Sequence, residues 1–432
     1  MAAVNSAVPC VPSELDMFSR SRIQNAILGH QVVGLKTVNA VTHPLSTLEF
    51  HHSGANDYYR DLSHVYLRLK VCLRGEDGHN LDLDNNVGVV NNLMYSLFQT
   101  MEVFLNEKCI CRLDHFGFKS YIETLLNNSP EAANTHLTTA MFSIDTPAHC
   151  TEAVEENLGF TTRKNLLANS KVCELYGRLN CGLFNQHLLL PQGLDLRVKL
   201  TFAPESFYLW TKDAAAVSKL HVVDSTLYVK QVLINPGVLL AHAKILSQTN
   251  ALFPMKNVEM KAFTIAPGAR SLSLNNICQG RLPSFLCFTI IDNANFNGHF
   301  QRNPFAFVHK AITNVSIFVN SDEHRFGPME FHSDAPYYTY AYHSLFSALG
   351  ADGRARTHMI TPAMFSHGTF LICKDLTADG SGNISHTSLA SSGVVRIEAS
   401  FAKEIDVAVT CLLLLEYDCV LEVDHSRNVY IS

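Results

Sequence analysis

The chain has 432 residues, 47% apolar and 17% charged, which excludes a largely disordered protein and leaves room for two or three domains with cores of their own. Lys plus Arg number 33 and Asp plus Glu 39, a net charge of −6 with no basic run, so sequence-specific nucleic-acid binding through a basic surface is not expected. No run of about 18 apolar residues occurs and Met1–Arg20 lacks the charged-then-apolar order of a signal peptide, so neither a transmembrane segment nor a leader is expected.

In chain order, residues 1–30 carry Pro9 and Pro12 in a mixed polar pattern and read as an extended N-terminal arm or plain disorder. Strand signals start at Val32–Val41 and Thr47–His51. In Tyr66–Leu73, Leu67, Leu69, Val71 and Leu73 share one face. Val87–Asn128 follows as a packing unit: an apolar helical turn through Val90, Leu93, Met94, Leu97 and Phe98, an alternating strand Met101–Asn106, a polar turn, and a helix over Phe118–Leu126. A polar substitution at Leu97 or Phe104 is expected to cost folding and assembly together. Short helical stretches are predicted at Leu137–Phe142 and Thr151–Leu158, then strands at Val172–Leu179, Leu188–Leu190 and Leu194–Phe202. The small-residue spacer Ala214–Ala216 predicts the boundary between a first unit, 31–215, and a second, 216–432. Strands at Val222–Ile234, Val258–Ile265, Phe285–Ile291, Ile312–Val319, Phe370–Lys374, Val394–Phe401 and Ile405–Val423 fill the second unit. Helices are predicted at Val238–Ser247, which Pro236 can start, and at Tyr338–Leu349. Many short strands, few helices and frequent Gly, Pro and Asn turns predict sandwiches or barrels.

The two halves repeat. Val103-Phe-Leu-Asn106 matches Ile317-Phe-Val-Asn320, Tyr121–Leu126 matches Tyr340–Leu345, Tyr66–Leu73 matches Phe285–Asp292, and Leu196–Ala203 matches Val395–Ala402. Order is kept, and each pair is separated by about 200–220 residues, the mark of a duplication. Each half is then an all-β domain with inserted helices, and an eight-stranded jelly roll fits that size.

Chemistry is not signalled. The 21 histidines form no HxH pair, and His51 and His52 are expected on opposite faces of one strand. GxSxG, GxxxxGK[ST] and HExxH do not occur, so no catalytic, cofactor-binding or metal residue is assigned, and no enzyme activity or cofactor is expected. The 12 cysteines include no CxxC pair and read as reduced, partly buried thiols; Cys109 and Cys111 are expected on one face of a strand. The sequons at Asn127, Asn314 and Asn383 read as chance. The aromatic runs Phe207–Trp210 and Tyr337–Tyr342 suit subunit faces or ordinary packing. Histidines at subunit contacts would loosen an assembly on acidification.

An ordered set of segments resembles the major capsid proteins of Polinton/Maverick elements and adintovirus-like viruses. It comprises Asn56-Asp-Tyr58, Asn91–Phe98, Val103–Asn106, Tyr121–Asn127, Pro236–Lys244, Pro254-Met255, Phe263–Gly268, Asp292–Gly298, Asn303-Pro-Phe305, Tyr342–Phe346 and Val423–Val429. It spans nearly everything from Ser13 onward, with departures in Leu349–His367 and Ala378–Ser391. The resemblance implies a double jelly-roll capsid protein whose homotrimers form pseudo-hexagonal blocks of an icosahedral virion shell. Minor capsid or vertex proteins would be its partners, and assembly would take place inside the host cell. A minor capsid (vertex) protein and a carbohydrate- or receptor-binding β-sandwich are the rival readings.

Overall fold

Alternation along single strands sets the architecture. In Leu196-Arg-Val-Lys-Leu-Thr-Phe202, Leu196, Val198, Leu200 and Phe202 are buried, while Arg197, Lys199 and Thr201 face outward. The computed structural model describes residues 17, 23–39, 41, 44–54, 57–75, 77–81, 86–213, 218–332, 336–351, 357–380, 382 and 388–432. Among them the strands are β1 Ile27–Lys36, β2 Thr47–His52, β3 Tyr58–Gly75, β4 Val87–Val89, β5 Phe98–Leu105, β6 Lys108–Asp114, β7 Cys173–Arg178, β8 Leu196–Phe202, β9 Leu209–Thr211, β10 Ser218–Ile234, β11 Ala251–Ile265, β12 Ser271–Arg281, β13 Phe285–Asp292, β14 Ile312–Val319, β15 Asp322–Phe326, β16 Ile372–Asp375, β17 Ser392–Phe401, β18 Val409–Val423 and β19 Val429–Ile431. The helices are α1 Leu93–Ser96, α2 Phe116–Asn127, α3 Leu158–Leu167, α4 Gly182–Asn185, α5 Glu205–Tyr208, α6 Pro236–Leu246, α7 Asn293–Asn297, α8 Thr339–Ala348 and α9 Pro362–Ser366.

The strands form two pairs of four-stranded antiparallel sheets. The first pair has the orders β1-β10-β3-β7 and β2-β8-β5-β6, and the second β11-β18-β13-β16 and β12-β17-β14-β15, with β19 added beside β18 and a small β4-β9 ladder apart. Each pair is an eight-stranded jelly roll, and the chain is a double jelly roll. The two rolls correspond strand for strand. All four sequence matches fall on corresponding elements: β5 with β14, α2 with α8, β3 with β13, and β8 with β17.

The sheets shift the division expected at Ala214–Ala216, which itself lies outside the described residues. β10, expected to open the second unit, pairs with β1 and β3 inside the first roll. The chain passes between rolls through α6, where Pro236 occupies the first turn and the Asn235 side chain accepts from Gly237 N–H at 2.9 Å. The arm expected through residue 30 does not include Ile27–His30, which belong to β1; residues 1–16 and 18–22 lie outside the described set. Helix is absent from 151–157, and α3 starts at Leu158, where Asn157 caps it by accepting from Phe160 N–H. β12, β15 and β19 carry no apolar alternation strong enough to predict them.

Cys109 and Cys111 do not share a face. A bulge in the β5–β6 ladder sets Val103 opposite Cys111 and Phe104 opposite Cys109, so Cys109 is exposed and Cys111 buried.

Candidate assembly surfaces and the seam between the rolls

One apolar core runs through both rolls, from Leu48 to Val429. Its crossing point is aromatic. Phe118 and Tyr121 on α2 meet the segment that follows β13: Tyr121 stacks on Phe305 with ring centres 4.3 Å apart, and Phe118 stacks on Phe296 at 5.6 Å. Helix α2 is buried along nearly its whole length because the first roll lies on one side of it and the second on the other. Midway along the seam, Gly182 at the start of α4 rests on the backbone of Lys256 in β11; a side chain there would collide with the Lys256 carbonyl. At the far end the Asn106 amide donates to the Arg427 carbonyl at 2.9 Å, and Lys108 donates to the Val429 carbonyl at 2.7 Å.

Two buried ion pairs hold the helical insertions of the first roll. Arg163 on α3 meets Asp145 at 2.8 Å and also donates to the carbonyls of Val89 and Ser143. Lys119 and Glu123, one turn apart on α2, meet at 2.7 Å, and Lys119 donates to the Asn180 carbonyl at 2.8 Å. Burial raises the Glu123 carboxyl, opposed by the Lys119 ammonium. Each charge is paired and hydrogen-bonded, the condition under which a buried ion is tolerated.

The two ends of the rolls differ. One end carries the tight β5–β6 and β14–β15 turns, the β12–β13 connection, α6 and β19; the other carries α1, α2, α3, α5, α7, α8 and α9. At the first end α6 buries none of its residues completely. Its Val238 and Leu239 lean on Tyr59, Val232 and Ile234, while Leu240 is 74% and Ile245 58% exposed. Leu28, Leu188 and Leu252 are exposed on neighbouring segments, and a groove of about 230 Å³ runs between α6 and Leu188–Pro191. These exposed apolar side chains make this end of the rolls a candidate association face.

The two aromatic runs divide. Phe207, Tyr208, Leu209 and Trp210 are buried, with Trp210 edge-on to Phe160, so this run is core and not a subunit face. In the other run Tyr337 and Tyr340 are exposed, whereas Tyr338 and Tyr342 pack on Phe331 and Phe365.

Histidines enter the second roll's core. His309 stacks on Phe331 at 3.9 Å and its Nδ1 accepts from Ala311 N–H, while His358 lies 4.2 Å from Phe346. Burial lowers both to about 4, and His332, His367 and Lys310 add to the effect at His309. His51 and His52 do face opposite ways, with His52 buried against Arg60 and Gln231. Among the described residues no group of three or more His, Cys, Asp and Glu side chains is placed to hold a metal ion, and no helix is long and apolar enough to cross a membrane.

No protein-family model matches the chain. An uncharacterized protein of Caenorhabditis elegans is 22% identical over 387 residues, 86% of this chain and 89% of its own length. Among solved structures, a chain of the Sputnik virophage cryo-EM structure superposes with a TM-score of 0.66 at 10% identity, over 99% of this chain and 93% of that one. The mavirus major capsid protein gives 0.55 at 10% identity, over 99% and 95%, and the Faustovirus major capsid protein 0.55 at 8%, over 96% and 93%. The fold is thus the double jelly roll seen in major capsid proteins of virophages and large DNA viruses.

Proposed function

We propose that the chain is the major capsid protein of a Polinton- or adintovirus-like DNA virus or integrated element, a structural and non-catalytic protein located in the virion shell. The observation that carries this reading is the pairing of two corresponding rolls across a buried seam, over essentially the whole chain. A subunit built this way offers two similar outlines, so three copies around an axis present six lobes and can tile a closed shell. The nematode relative of similar length agrees with an element carried in an animal genome. The unlike ends of the rolls give such a block an inside and an outside. We take the first roll to end at Ile234 and the second to begin at Ala251, with α6 as the bridge. The exposed α6 patch and Tyr337 and Tyr340 serve as subunit contacts, and minor capsid proteins would fill the shell's vertices.

Mass photometry of the purified chain tests the trimer. Three chains of 48.0 kDa give a species of about 144 kDa. A species that stays at the mass of one chain at micromolar concentration would contradict the proposal and favour a monomeric binding protein.

A further inference from the structure

Cys287 on β13 and Cys373 on β16 lie directly opposite each other in an antiparallel ladder. The parity of that ladder fixes their geometry. Leu376 N–H donates to the Ser284 carbonyl at 2.9 Å, one step beyond the Phe285–Asp375 pair. Hydrogen-bonded pairs alternate with non-bonded ones, so 284/376 and 286/374 are bonded and 287/373 is not. At a non-bonded pair the Cα atoms are about 4.5 Å apart and the side chains converge, inside the roughly 4.4–6.8 Å that a disulfide spans. Both side chains are buried, at 1% exposure each, so the register and not solvent decides which sulfur each thiol can reach.

We propose that Cys287 and Cys373 are an oxidative cross-linking site, forming an intrachain disulfide when the reduced protein meets a small disulfide such as oxidised glutathione. One cysteine thiolate attacks a sulfur of the small disulfide, forming a mixed disulfide and releasing one small thiol. The second cysteine gives up its proton and attacks the protein sulfur. The Cys287–Cys373 bond forms, and the second small thiol leaves and takes up a proton. Two protein thiols are oxidised and one small disulfide is reduced to two thiols.

The bond staples an edge. β16 has only four residues and pairs on one side with β13. The cross-link would close a loop that carries α7, β14, β15, α8 and α9. Burial holds the Cys373 thiol well above its ordinary pKa, so the reaction is slow and waits for β16 to lift from β13. Cys111 and Cys181 also influence each other's titration, but they sit on a strand and at a helix start, with no shared register to fix their Cα spacing.

The test holds the purified protein at pH 8 for days in a buffer of oxidised and reduced glutathione. Free thiols are then blocked with N-ethylmaleimide and peptides are mapped by mass spectrometry. The expected product joins the Cys287 and Cys373 peptides, lighter by two hydrogens than the separate pair, and is absent with excess reductant. The thermal midpoint should rise by several degrees on oxidation, and this rise should vanish in Cys373→Ala and Cys287→Ala. Recovery of both cysteines as blocked thiols, or their joining to other cysteines, would overturn the assignment; the wild-type map decides this even if a variant fails to fold. A joined pair with an unmoved midpoint would overturn the stapling role.

Discussion

The Arg197 guanidinium lies 4.3 Å from the centre of the Phe104 ring, and its counterpart Arg396 lies 4.1 Å from that of Phe318. In each roll the two residues are opposite neighbours on paired strands, β8 with β5 and β17 with β14. The following turn is copied too. Asn106 N–H donates to the Asp195 carbonyl while its side chain accepts from Asp195 N–H, and Asn320 makes the same pair of bonds with Val394. Both asparagines have positive φ, 45° and 55°, a conformation asparagine tolerates better than most residues. The duplication therefore preserves a particular device, a clasped turn with a cation held over an aromatic ring.

This device should be worth the same in both rolls. A double-mutant cycle on Arg197→Ala and Phe104→Ala, read by urea unfolding, is expected to give a coupling of about 0.5–1 kcal/mol, and Arg396→Ala with Phe318→Ala a similar value. Leu105→Ala, which removes a fully buried side chain beside Phe104, should cost about 2–5 kcal/mol. Equal costs at Phe104 and Leu105 would show that the ring is core.

The seam should couple the rolls. Phe305→Ala removes a ring that contacts Phe118, Tyr121 and Phe207 and is expected to cost about 3–5 kcal/mol. Calorimetry should then show two transitions where the parent shows one. A single transition shifted by less than a degree would mean that the seam carries little of the stability.

Sequence patterns made most of this fold legible, for reasons visible in particular residues. Strands with one buried face, such as β8, announce themselves by alternation. The repeat was readable because Val103–Asn106 and Ile317–Asn320 hold inward residues and a turn asparagine at fixed spacing. Phe104 was less so: alternation marks where a residue points only if the inward partners are known, and its partner Arg197 comes from a strand 93 residues on. The burial of Phe207–Trp210 was invisible because an aromatic run has the same composition in a core as on a contact face. The place of β10 depends on pairing with β1 and β3, which no local signal reports. The seam itself joins residues such as Tyr121 and Phe305 that are remote in sequence.

Acid should weaken the second roll. His309 and His358 are held at about 4 in the folded chain against an unfolded value of 6.5. Below pH 6.5 the unfolded chain binds protons that the folded chain refuses, so stability is full above that pH and falls as pH drops toward 4. At pH 5 the loss is about 2 kcal/mol for each imidazole. Lys310, His332 and His367 face His309 and contribute, after burial, to its lowered value, and Glu330 opposes them. Thermal midpoints measured from pH 7.5 to 5 should fall, and His309→Gln with His358→Phe should flatten the decline. An unchanged slope in the double variant would assign the acid sensitivity elsewhere.

The α6 patch should matter for assembly and not for folding. Leu240→Asp with Ile245→Asp changes two exposed side chains, so urea unfolding is expected to move by no more than about 0.5 kcal/mol. Light scattering should nevertheless show loss of the largest species formed by the parent chain. Parent-like assembly by this variant would remove α6 from the contact surface.

Electron microscopy of the purified, concentrated chain addresses the central claim most directly. Class averages viewed down the particle axis should show three subunits, each contributing two lobes, in a pseudo-hexagonal outline, alone or tiled into curved shells. Averages showing separate two-lobed monomers, with no three-fold particles at any concentration, would contradict the account.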